Sequence, residues 1–162
     1  MRRKWYLTAL AAIAGGGGLH FLYDLWPSAL TAVFAPVNES VWEHLKLLFW
    51  PFLAAGFALT HRQEDKPAAW SGILLSLLLM PLFLLGVYYL LLAGFGVHGL
   101  VLDIALYALT LALGFCLARR VQQSGRLAYL SGVLVIAAGL YGAALILFTL
   151  APPELPIFTA NV

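Results

Sequence analysis

Charge is scarce in this chain: of 162 residues, 9 are Lys or Arg and 7 are Asp or Glu. A net charge of +2 with no dense basic run gives no field able to hold a polyanion, which excludes nucleic-acid binding. Cysteine is nearly absent as well. Cys116 stands alone in an apolar run, so one copy can form neither a disulfide nor a thiolate metal cage, and the residue reads as a packing group. Cysteine usage therefore says nothing about the redox state of the compartment. What remains is apolar: 63% of residues are hydrophobic, against ~45–50% in soluble domains. A water-soluble fold of this size has too little interior to hide that much apolar surface. The length fits one domain, residues 1–162.

A helix crosses ~30 Å of hydrocarbon with ~20 mostly apolar residues. Five stretches qualify, residues 5–26, 41–59, 70–93, 98–118 and 127–150, which predicts an all-α polytopic membrane helix bundle of about five spans. The connections between them are short, so consecutive helices run antiparallel. Lys and Arg near helix ends are retained on the cytoplasmic side. A cytoplasmic amino terminus places Arg2, Arg3, Lys4, Arg62, Lys66, Arg119, Arg120 and Arg126 inside and leaves only Lys46 outside. Most carboxylates divide the other way, with Asp24, Glu39, Glu43, Asp103 and Glu154 outside and Glu64 and Asp65 inside. His20, His44 and His98 also fall outside, and the carboxyl terminus is extracytoplasmic. A signal-peptide reading, with Ala12-Ile13-Ala14 as cleavage site, fits less well because the apolar run continues to Leu22. Gly15 to Gly18 would let a neighbouring helix approach closely, and Pro51 and Pro81 are expected to kink their spans.

The segment Pro36-Val37-Asn38-Glu39-Ser40-Val41-Trp42-Glu43-His44-Leu45-Lys46 opens the second span. Residues 47–59 supply only ~20 Å of helix at ~1.5 Å per residue, too little to cross. The turn bearing Glu43, His44 and Lys46 must then belong to the span and lie near or below the outer headgroups. Helical spacing puts Glu39, Glu43, Lys46 and Trp50 on one face and Ser40 and His44 on an adjoining one. Such a face should point at other helices or into a wet pocket, away from lipid. A plain helix start accounts for part of this: Asn38 or Ser40 as cap, Ser40 with Glu43 as a capping box, and acids complementing the dipole. It leaves Lys46 and His44 unexplained, since a cation in a first turn opposes the dipole and needs an anion.

His20 and Asp24, four residues apart at the end of the first span, can bind a metal jointly, or the carboxylate can orient the imidazole as a base. A simple hydrogen-bonded pair is the competing reading. Asp103 lies about a turn and a half into the fourth span, where a lone carboxylate costs up to ~2.5–3.5 kcal/mol. Its partner is expected on another helix, at Lys46, His44 or His20, the simplest case being an ion pair with Lys46. Tyr88, Tyr89, Trp26, Trp42 and Trp50 read as interface anchors or bundle filling. The proline-rich residues 151–158 cannot continue a helix and either cross the outer mouth or hang free. The candidate acid-base residues are thus His20, Asp24, Glu43, His44, Lys46 and Asp103. The candidate metal ligands are His20, Asp24, Glu43, His44 and His98, a donor set that suits zinc and a zinc-bound water nucleophile.

His20-Phe21-Leu22-Tyr23-Asp24 together with the Asn38-Glu39-Ser40-Val41-Trp42-Glu43-His44 segment resembles an uncharacterised family of small multi-pass bacterial membrane proteins, along the whole hydrophobic chain. The resemblance implies a bacterial inner membrane and brings no activity with it. Similarity to membrane zinc hydrolases of the alkaline ceramidase type is loose, since those have more spans and a His-x-x-x-His pair missing here.

Three functions compete. One is a metal-dependent hydrolase or lipid-modifying enzyme acting on membrane lipid or the membrane-proximal part of another molecule. Another is a transporter of protons, cations or small solutes, although the cytoplasmic half of the helices is nearly devoid of polar residues. The last is a structural or accessory subunit whose polar cluster stabilises the bundle.

Overall fold

The computed structural model of the protein describes residues 2–159, which form helices and turns and no strand. Its elements are α1 (Arg2–His20), α2 (Leu22–Leu25), α3 (Ala29–Phe34), α4 (Val41–Thr60), α5 (Lys66–Tyr89), α6 (Leu100–Ser124) and α7 (Ser131–Leu150). A π-helical turn, Leu90–Gly94, extends α5, and short 3-10 turns occupy Ala128–Leu130 and Pro156–Phe158. Three helical stretches, Lys66–Gly94, Leu100–Ser124 and Ala128–Leu150, are long and apolar enough to cross a membrane. Many large apolar side chains on the outer faces are exposed, such as Leu10 on α1, Ile104 on α6 and Ile136 on α7. Lipid tolerates such faces and water does not.

Consecutive long helices run antiparallel, and α4 and α6 run parallel. Phe49 of α4 meets Tyr141 of α7, Phe57 meets Trp70 of α5, and Leu47 and Phe52 meet Tyr107 and Phe115 of α6. The core between them holds Phe52, Leu111 and Leu145, each fully buried. One end of the bundle therefore gathers the start of α1 and the links α4–α5 and α6–α7, with Arg3, Lys4, Arg62, Lys66, Arg119, Arg120 and Arg126. There Lys66 donates to the carbonyls of Thr60 (2.8 Å) and His61 (2.7 Å), a cation on the free acceptors ending α4. Gly125 closes α6 in the left-handed region (φ 62°), where its missing Cβ matters.

The opposite end departs from the sequence reading. The first helix stops at His20 instead of running to Trp26: Phe21 N–H bonds three residues back, to Gly18 O (3.3 Å). Four successive glycines precede the break, and each favours helix ~1 kcal/mol less than alanine. Residues 27–36, read as a plain connection, contain α3. Ser28 and Thr31 start it with a full capping box, Thr31 N–H to Ser28 Oγ and Ser28 N–H to Thr31 Oγ1, both 3.1 Å. The carboxyl-terminal tail crosses this end, where Phe158 packs on Trp42 and Phe148 with ring centroids 4.9 and 5.4 Å away.

Glycine placement decides where helices touch. A Cβ on Gly72 would strike the Ala118 carbonyl and lie 3.0 Å from the amide nitrogen of Gln122, backbone that cannot yield, whereas one on Gly15 meets nothing within 4 Å. Gly72→Ala should lose about 1–3 kcal/mol, overriding its gain in helix propensity. Gly15→Ala should hold or raise the unfolding midpoint. Thermal unfolding in detergent compares the two; equal midpoints would refute close packing of α5 on α6.

Candidate metal centre

Two polar assemblies occupy the α3 end, one buried and one open. The buried one is centred on Lys46, fully enclosed in the second turn of α4. Its ammonium has three donors and uses all of them: Glu43 Oε2 at 2.7 Å, Ala32 O at 2.7 Å and Ala35 O at 3.3 Å. The two carbonyls belong to the last turn of α3, whose free acceptors favour a cation. Trp50, one turn further along α4, donates from Nε1 to Val33 O at 2.9 Å and so bonds another α3 carbonyl. Glu43 is equally engaged. Its Oε2 also accepts from Val37 N–H (2.9 Å) and its Oε1 from the Thr149 hydroxyl of α7 (2.7 Å).

The anion that Lys46 requires is thus its own near neighbour Glu43, three residues earlier. This corrects the expectation of an ion pair with Asp103, which is exposed near the start of α6 with no side-chain partner among the described residues. The capping box foreseen for Ser40 and Glu43 forms only by half. Ser40 Oγ accepts from Glu43 N–H (3.3 Å), but the Glu43 carboxylate turns to Lys46, and Asn38 Oδ1 takes the Ser40 N–H instead (2.9 Å).

The open assembly brings His20, from the last turn of α1, against His44, from the first turn of α4, with ring centroids 5.1 Å apart. Glu39 joins them, its Oε2 3.4 Å from His44 Nε2. Ser40 caps α4, so Glu39 lies outside the helix and leaves the Glu43 face predicted for it. His44 Nδ1 lies 2.8 Å from the Ser40 carbonyl, which can only accept, so Nδ1 carries a proton, and a bare Nε2 would present its lone pair to the Glu39 carboxylate. Two acceptors facing each other at this distance require a cation between them, a proton or a metal ion. Within the trio, donor atoms one per residue all lie within 4.8 Å of one another. His20 Nδ1 is buried and has no hydrogen-bond partner among the described residues.

Of the predicted ligands, the fold brings His20 and His44 together and leaves the others out. Asp24 is exposed, because the break after His20 removes the four-residue helical spacing that would have aligned the pair. His98 is exposed in the non-helical stretch before α6, which begins at Leu100 and not at His98. Glu43 has both oxygens engaged as described. Glu39 is the third member of the cluster and was left out of the candidate ligands read from sequence; the Asn38–Ser40 cap signature was the clue that it sits before the helix.

The class defined so far is an all-helical protein with membrane-length apolar helices and a His/carboxylate cluster at one end of its bundle. The chain belongs to a family of unknown function, DUF6512, whose model matches residues 1–162. No curated protein and no solved structure matches it.

Removing one member of a buried ion pair strands the other. Lys46→Met should lower stability by about 3–5 kcal/mol. Glu43→Gln combined with Lys46→Met should recover part of that loss. Unfolding of wild type and the two variants in detergent tests this, and a Lys46→Met protein as stable as wild type would show the network contributes nothing.

Proposed function

We propose that this is a five-span integral membrane protein of the bacterial inner membrane that binds a zinc-class divalent cation at the extracytoplasmic end of its bundle. His20, Glu39 and His44 are its ligands. The observation that carries the reading is His44: one ring nitrogen is fixed on the Ser40 carbonyl while the other faces a carboxylate at 3.4 Å. An outer hydrogen bond that fixes the tautomer is the usual companion of a metal-binding imidazole. Two ligands ~2.0–2.1 Å from a tetrahedral zinc ion lie about 3.3 Å apart, close to the His44–Glu39 separation. Three protein donors leave one tetrahedral position for water or a substrate, the pattern of catalytic zinc and not of closed structural sites. At a membrane surface the molecules within reach are lipid headgroups and the membrane-proximal parts of other proteins.

The span count rests on length and company. The 19 residues of α1 and 20 of α4 make about 28–30 Å of helix, matching a ~30 Å core. Both pack within the same bundle as the three more apolar helices. α4 carries Glu43 and Lys46, whose neutralised pair makes the span tolerable. Orientation follows from the basic end, which favours the cytoplasm and puts the histidine cluster and the carboxyl terminus outside. Transport through a single copy is disfavoured, because the basic half of the bundle is filled mainly by apolar side chains such as Leu59, Ile73, Leu74 and Ala118, and among the described residues it buries the hydroxyls of Thr60, Ser71 and Ser76 but no charged group.

Protein purified without chelator should carry zinc at up to one ion per chain, read by elemental analysis. Cobalt substitution should give a visible spectrum of four-coordinate N/O ligation. His20→Ala and His44→Ala should each abolish retention, and Glu39→Gln should weaken affinity by at least about 10–100-fold, the range already seen for outer-shell changes. Metal-free protein after zinc loading, or full retention in both histidine variants, rejects the centre. Reporter fusions at residues 63 and 159 should read as cytoplasmic and extracytoplasmic respectively; the same side for both would reject five spans.

A further inference from the structure

Away from the histidines, an open apolar trough of about 1010 Å³ runs between α1 and α4. Its floor is made of small side chains, Ala11 and Gly15 from α1 and Ala54 and Ala58 from α4. Phe34 and Trp50, in ring contact at 4.9 Å, close one end, and Arg3 and Lys4, both exposed, stand at the other. From Arg3 to Leu19 the lining follows about 24 Å of helix at ~1.5 Å per residue, more than half of a ~30 Å hydrocarbon core.

We propose that this trough is a lipid site, occupied by an anionic membrane phospholipid whose headgroup is held by Arg3 and Lys4 and whose chain lies on the Ala/Gly floor. The polarity decides the occupant. An apolar channel with two cations at one rim is complementary to a molecule that is apolar along its length and anionic at one end. A second copy of the chain fits less well, although small residues on helix faces also suit helix packing. Seated in the same membrane orientation, it would bring its own basic end toward Arg3 and Lys4. The proposal goes beyond the metal centre and rests on the bilayer embedding of α1 and α4 given above.

Native mass spectrometry of the full-length protein, released from micelles containing equal amounts of dioleoyl phosphatidylglycerol and dioleoyl phosphatidylcholine, tests it. Wild type should retain the anionic lipid with a preference on the order of tenfold, as two surface cations suggest. The double variant Arg3→Gln/Lys4→Gln, altered only at exposed side chains, should retain both lipids about equally. Ala54→Leu, which fills the floor, should lower retention of both, with the unfolding midpoint recorded to show that the bundle is intact. Equal retention by wild type, an undiminished preference in the double variant, or a lipid-free dimer would overturn the proposal. Retention of neither lipid would overturn it too, and would count against the embedding of α1 and α4 themselves.

Discussion

An ammonium group with all three protons bonded, buried among apolar helices, governs the polar end of this protein. Lys46 cannot be solvated where it sits, so its charge must be met by Glu43 and by carbonyls at the end of α3. Those carbonyls in turn have few other partners, because a six-residue helix cannot satisfy its own last turn. Each side of the contact thus answers a need of the other. Trp50 repeats the logic one turn away with the Val33 carbonyl. The outcome is that α3, too short to be stable alone, is held against α4 by three side-chain bonds to Lys46 and Trp50.

That tether also decides which carboxylate remains available for chemistry. Glu43 and Glu39 look alike in sequence, both close to His44. Burial and the bonds to Lys46, Val37 and Thr149 consume the first, while Ser40 ends the helix and turns the second out toward the imidazole. The structural and the candidate functional acid are separated by a helix boundary of a single residue. His20 reaches the same place from the last turn of α1, just before the break, so the glycine run that weakens α1 ends two positions before its histidine.

Much of this was legible from residue order. Long apolar runs announced helices, and their boundaries came within about four residues for α4, α5 and α7, while α6 runs on to Ser124, past the expected end at residue 118. The burden of Lys46, a cation needing an anion, was also visible, as was the meeting of His20 with His44. What could not be read was direction. Asp103 seemed to need a partner because its position along a helix is known from sequence, whereas its azimuth about the axis is set only by packing. Asp24 failed for a local reason: spacing of four means a shared face only while the helix continues, and the chain turns at Phe21. The short helix α3 was hidden because the prolines flanking it resemble loop punctuation, although Ser28 and Thr31 carried a cap signal.

The hydroxyl that completes Glu43 belongs to Thr149, 106 residues further along the chain. A ribosome adding ~5–20 residues per second needs on the order of ten seconds to cover that distance. During this interval α4 exists with one carboxylate oxygen still lacking its protein donor, and Trp42 has not yet met Phe148 or Phe158. The polar end therefore cannot be complete before α7 and the tail have been made. A chain cut short before α7 lacks this donor, so its buried acid keeps one oxygen without the partner that the whole chain supplies.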